Sequence, residues 1–151
     1  MIYVYDSVIE QIRLTIGVSE PERGGILGAK SFDLPISAYY FDSTSQHQKE
    51  QYVPDCNKIN EVLEHRWLPR DLYMYGIVHS HDASCPFPSC GDIEYAHRII
   101  NSLSYTNTLF LPIVLTDNFS IIPYTIKVTG KNIRTEKNEM KIIKKDMNPK
   151  K

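Results

Sequence analysis

Two histidines, His79 and His81, close an apolar run from Leu72 to Val78, and Ser89 and Asp92 follow after a loop that holds Pro86 and Pro88. In extended backbone, residues i and i+2 point to the same side, about 6.5–7 Å apart. Both imidazoles can therefore reach one metal ion from a strand end. The loop over residues 82–88 lets the chain fold back, so that Asp92 can supply a third ligand. A catalytic zinc site typically keeps three protein ligands and one open position for water. Two neutral imidazoles and one carboxylate leave such a site net positive, which draws the pKa of a bound water down toward about 7.

Other readings of the same residues stay open. Ser89 and Asp92 also fit a helix cap, with Ser at the N-cap and an acid three residues on. The two roles are compatible, because an acid at a helix N-terminus can face outward to a metal. Cys85 and Cys90 lie inside the motif loop. With His79 and His81 they could close a four-ligand structural zinc site that excludes water, or one thiol could displace that water reversibly as a redox brake. The zinc-deaminase pattern needs His-x-Glu and Pro-Cys-x-x-Cys, and neither occurs here.

The pattern His79-x-His81-x7-Ser89-x2-Asp92 resembles the JAMM/MPN-plus (JAB-type) zinc metalloprotease signature at every required position. The resemblance extends upstream, where Glu22-Arg23-Gly24-Gly25-Ile26-Leu27 matches the family's Glu-x-x-Gly-Ile/Leu-Leu element. It implies that Glu22 is the catalytic glutamate that moves the water's proton to the departing amine, with Glu20 a rival two residues away. It also implies that Ser89 stabilises the oxyanion and that His79, His81 and Asp92 hold one catalytic Zn²⁺. Two departures stand out. Ala29 occupies a position where many members have Gly, and Asp82 replaces a proline common after the second histidine.

The elements that must position these residues follow from periodicity. Ile2–Tyr5 reads as a first strand, and Ser7 to Glu10 fits a capping box opening a helix near 7–16 that buries Val8, Ile9, Ile12 and Ile16. Within residues 19–30 a loop holding Pro and acids runs into a Gly-rich apolar strand in which missing side chains let backbones approach. Pro35–Phe41 reads as a second strand, and Asp42–Gln51 as a polar loop with His47 exposed. Pro54-Asp55 starts a helix with Ile59, Val62, Leu63 and Trp67 on one face and His65 off it, ending before Pro69.

Leu72–Val78 is the central strand, apolar on nearly every residue as a strand covered on both faces should be. A helix begins near Ser89 with Ile93, Ala96, Ile100 and Leu103 at helical spacing, and His97 reads as a packed structural histidine beside that stripe. Leu109–Leu115 and Ser120–Val128 close the fold as a strand pair, and Pro112 and Pro123 argue for edges or bulges there. From Lys131 on, a frayed helix or disordered tail is expected.

Length and composition bound the rest. At 151 residues, with 42% hydrophobic and 23% charged residues, one soluble domain is the simplest reading: 1–130 as the domain and 131–151 as a basic tail. The tail carries net +5 and the remainder net −6, so no global charge demands nucleic acid. No apolar run approaches the ~20 residues of a membrane span, and no secretion signal is evident. The odd cysteine count of 3 suits reduced thiols in a cytoplasmic protein.

The resemblance implies an α/β fold, a mixed β-sheet flanked by helices in the JAB/MPN (cytidine-deaminase-like) architecture. It further implies a zinc-dependent peptidase or isopeptidase that cleaves after the C-terminal tail of a ubiquitin-like or sulfur-carrier protein, with E1- or E2-like proteins as further partners. The short loop between His81 and Ser89 suits the small prokaryotic members. The alternatives are a non-catalytic MPN scaffold, which typically lacks some metal ligands, and a RadC-like nucleic-acid-associated protein.

Overall fold

The computed structural model describes residues 1–18, 22–48 and 51–145. The chain opens with β1 (Ile2–Tyr5), which passes directly into α1 (Asp6–Leu14) and a 3-10 turn over Ile16–Val18. Val8, Ile9 and Ile12 form the buried stripe of α1. The expected capping box is absent. The N-cap is Tyr5, with no side-chain cap, because the helix starts straight from the strand and Ser7 is already inside it. Glu10 instead pairs with Arg13 at 3.3 Å on the exposed face.

Strands β2 (Gly24–Ala29), β3 (Ala38–Phe41), β6 (Tyr73–His81), β7 (Thr108–Leu115), β8 (Ser120–Thr129) and β9 (Asn132–Lys137) form one mixed sheet in the order β3-β2-β6-β7-β8-β9. Among the described residues of this sheet, β6 and β7 are the parallel pair, and the helix α3 (Cys90–Ser102) lies on the crossover between them. A hairpin of β4 (Gln46–Gln48) and β5 (Gln51–Val53) occupies ground expected to be loop. It leads into α2 (Cys56–Val62), which Asp55 caps by accepting from the Lys58 N–H at 3.1 Å. A π-helical turn over Leu63–Trp67 and a 3-10 turn over Leu68–Arg70 continue it. Pro69 therefore sits within the last turn rather than just past the end.

Both faces of β6 are covered, as its sequence predicted. On one face Ile77 and Met74 pack with Ile59, Val62 and Trp67 of the α2 segment and with Ala96 and Ile100 of α3. On the other, Val78 packs with Val8, Ile12 and Ile16. Each such side chain taken fully out of water contributes about 1.5–3 kcal/mol. Gly28 allows one of the closest approaches, since a Cβ there would collide with the Trp67 ring. The β2–β6 register shifts between Leu27 and Gly28, next to Ala29, where the sequence departs from the signature.

Two further expectations are corrected. β7 is an interior strand, not an edge. Pro112 faces Pro123 across the β7–β8 pair, the β6–β7 pairing lapses between Gly76↔Phe110 and His79↔Ile113, and the β8–β9 pairing begins only at Tyr124, so the ladders outside the two prolines are interrupted beside them. The segment after Lys131 is strand rather than frayed helix or disordered tail. β9 extends the sheet, and β10 (Met140–Ile143) pairs in parallel with β1. Every residue of β9 is exposed. Its hydrogen bonds to β8 hold it without an apolar face, and its charges suit an edge. Residues 146–151 lie outside the described residues. No described helix is long and apolar enough to cross a membrane.

Candidate metal centre

β6 runs to His81, so both histidines lie within the strand at its end. They share the face of Ile77, beneath the N-terminus of α3. His79 is 2% and His81 3% exposed. Their Nε2 atoms stand 2.9 Å apart. Asp92 Oδ2 lies 3.1 Å from each of them. The three sequence-predicted ligands therefore converge on one point.

Asp92 is aimed by the helix cap. Ser89 Oγ accepts from the Asp92 N–H at 3.1 Å, and Asp92 Oδ2 accepts from the Ser89 N–H at 2.8 Å, the reciprocal bonds of a capping box. The structural and the metal-facing readings of this pair thus hold together. Ser89 keeps its own hydroxyl proton to donate.

The tautomer of His81 follows from its partner. Nδ1 lies 2.8 Å from the Cys85 carbonyl, which can only accept, so Nδ1 donates. In the neutral ring Nε2 then presents a lone pair toward His79 and Asp92. Such an outward bond to a carbonyl is the usual way a ligating imidazole is oriented. Burial works against a charge on His81, but Asp92, the Cys85 carbonyl and Glu22 outweigh it and raise its pKa. Burial would raise the Asp92 carboxyl too, yet the imidazoles of His79 and His81 and the Ser89 N–H hold it far below the usual carboxylate range. Asp92 is an anion at neutral pH.

Glu22, 7% exposed, completes the cluster. Its Oε1 lies 3.8 Å from His81 Nε2. Ligand atoms of Glu22, His79 and His81 all fall within 4.8 Å of one another. Two triads therefore share the histidines. Donors held about 2.0–2.1 Å from a tetrahedral ion are about 3.3 Å apart. Asp92 meets that spacing with both imidazoles, and Glu22 stands one step further out. With neither an N–H nor a cation between them, two nitrogens and an anionic oxygen this close would repel. A proton can satisfy one pair of them, and a metal ion all three. The donor set thus fits a metal, with nitrogen and oxygen ligands of a kind zinc accepts.

Ser80, which sequence spacing did not single out, links the glutamate to the histidines. Its Oγ accepts from the Arg23 N–H at 3.0 Å and its N–H donates to the Arg23 carbonyl at 2.8 Å. Glu22 is thereby held beside the His79–His81 face. Cys85 and Cys90 are free and exposed, and Cys85 turns its carbonyl rather than its thiol to His81. The motif loop is pinned by Tyr124, whose hydroxyl donates to the Pro86 carbonyl at 3.2 Å. His65 is exposed as expected. His97 is half-buried and pairs with Asn101 at 3.3 Å. Glu20 and the side chain of His47 lie outside the described residues.

A cleft of about 220 Å³ opens beside His79 and Asp92, walled by Tyr52, Ile77, Tyr95 and Leu111 with Arg98 among its lining. No family model matches the sequence, and no curated protein matches it. Among solved structures the chain is similar to the solution structure of protein DSY2949 from Desulfitobacterium hafniense, a structural genomics target. The TM-score is 0.66 and the identity 16%, with 97% of each chain covered. At that identity the likeness speaks for a shared fold.

Proposed function

We propose that this protein is a zinc-dependent peptidase or isopeptidase of JAB/MPN architecture, cleaving after the C-terminal tail of a ubiquitin-like or sulfur-carrier protein. The observation that carries the reading is the convergence of His79 Nε2, His81 Nε2 and Asp92 Oδ2 within 2.9–3.1 Å, with a buried glutamate 3.8 Å from one of them. Zn²⁺ held there supplies Lewis-acid chemistry, polarising a carbonyl and making water a nucleophile near neutral pH.

The chain's own residues supply the rest. Glu22 takes the proton from the attacking water and returns it to the nitrogen that leaves as the C–N bond breaks. Such transfers contribute typically about 10²–10⁴-fold. Ser89 donates its hydroxyl proton toward the developing oxyanion. The cleft beside His79 receives the acyl segment. β5 pairs with β4 along one edge, and Val53 at its end lines the cleft. An extended tail can add along the other edge by strand pairing. A tail ending in Gly-Gly brings no side chains to the narrow end near the metal.

The test is cleavage of a panel of ubiquitin-like and sulfur-carrier proteins, each extended by a reporter at its C-terminus or joined to a lysine. Products are read by mass. The zinc-loaded protein is expected to cut at least one, directly after the tail, and Glu22→Gln none. Zinc-loaded protein that cuts none of the panel, or equal cutting by Glu22→Gln, contradicts the proposal.

A further inference from the structure

A metal-binding imidazole is normally fixed by a hydrogen bond on its other nitrogen. His81 has one, to the Cys85 carbonyl. His79 does not: its Nδ1 is buried with no hydrogen-bond partner among the described residues. Something else must set the plane of that ring.

Two aromatic rings lie against His79. The His81 imidazole meets it edge-on, with centroids 4.6 Å apart. Tyr52 lies nearly parallel to it, at 21° and 6.1 Å between centroids. This is within the range of offset stacking. Tyr52 is itself fastened. Its hydroxyl donates to Asp42 Oδ2 at 2.8 Å, and the same oxygen accepts from the Asp55 N–H at 2.9 Å. Asp42 is wholly buried. Its backbone N–H donates to the Gly24 carbonyl at 3.0 Å, and Gly24 is the register partner of His79.

The contacts form a closed circuit: His79 to Gly24 across the sheet, Gly24 to Asp42, Asp42 to the Tyr52 hydroxyl, and the Tyr52 ring back to His79. Gly24 is part of it by what it lacks. A Cβ there would stand 2.7 Å from the Tyr52 ring, so a larger residue would push the ring off its seat. Burial pushes the Tyr52 phenol well above its ordinary range, as does the Asp42 carboxylate. Its one hydroxyl proton is committed to Asp42.

We infer that Tyr52, locked by the buried carboxylate of Asp42, is the positioning residue that fixes the His79 imidazole for metal binding, in place of the missing bond at Nδ1. The inference rests on the metal centre proposed above. Because Tyr52 also walls the cleft, one side chain sets both a ligand's orientation and the surface beside it.

The test needs no substrate. Zinc affinity is measured by chelator competition on the full chain, and the visible d–d spectrum is recorded after loading with Co²⁺. Tyr52→Leu, which removes the ring, is expected to weaken zinc about 10–100-fold, the usual scale for lost outer-shell support, and to shift the cobalt bands. Tyr52→Phe keeps the ring and loses its anchor, so it should fall between Leu and wild type, and Asp42→Asn should behave alike. A well-folded Tyr52→Leu with wild-type affinity and spectrum overturns the inference. Should that variant fail to fold, Tyr52→Phe decides, and wild-type affinity and spectrum there overturn the Asp42 lock. Wild-type protein that binds neither metal refutes the metal centre, and this inference with it. Normal wild-type binding with indifferent variants refutes this inference alone.

Discussion

Ser80 grips the backbone of Arg23 through both its hydroxyl and its own N–H, at 3.0 and 2.8 Å. The residue between the two histidines thus fastens Arg23, 57 residues away in sequence and adjacent to Glu22. Ser80→Ala would remove one side-chain acceptor from a partly buried backbone N–H. The expected result is a stability loss of about 1 kcal/mol, zinc retained, and a fall in cleavage rate with little change in KM. Denaturant melts, metal analysis and steady-state kinetics check the three parts. Lost zinc would place Ser80 in the ligand shell instead.

Glu22→Gln keeps the shape of the side chain and removes its basicity. Zinc content is expected to be unchanged and the rate to fall by about 10²–10⁴. Metal analysis beside single-turnover cleavage tests this. If Glu22 were a ligand, as its nearness to both histidines would allow, zinc would be lost with the rate.

The observed capping role of Ser89 and its proposed oxyanion role can be separated. Ser89→Ala loses the helix cap, at about 1 kcal/mol, and the oxyanion donor, at about 10²–10³ in rate. Ser89→Asp restores a capping acceptor without a donor proton. It should recover the thermal midpoint and leave the rate low. Recovery of both by Ser89→Asp would assign the serine to capping alone.

Metal binding to the folded state alone must stabilise it by mass action. Chelation of wild-type protein should lower the melting midpoint, and added zinc should restore it in a concentration-dependent way. His79→Ala and Asp92→Ala should melt at a midpoint insensitive to either treatment. Differential scanning fluorimetry across a zinc series is sufficient. A wild-type midpoint indifferent to both additions would speak against a built site.

Much of the centre was legible because its geometry is local. His79 and His81 share a side through the period of a strand, and Asp92 is aimed by a capping box written in four consecutive residues, Ser89 to Asp92. Most individual strands and helices followed from apolar periodicity, and their arrangement as a mixed sheet flanked by helices from the resemblance. Other features depend on partners distant in sequence. Ser80 and Tyr52 act through residues 57 and 10 positions away, and no spacing marks them. The capping box at Ser7 misled because a strand runs directly into α1, leaving no extended N-cap for the serine to occupy. β9 escaped notice because backbone pairing alone recruits it, with no buried side chain to leave a period. Pro112 suggested an edge or a bulge, yet it lies in an interior strand whose pairing with β6 lapses around it.

The cysteines offer the sharpest contrast with the proposed ligand set. X-ray absorption at the zinc edge, on protein with its metal content measured, reads the ligands directly. One zinc per chain surrounded by nitrogen and oxygen alone, at about 2.0–2.1 Å, is the result this account requires. A sulfur shell at about 2.3 Å, or protein that retains no zinc at all, would contradict it.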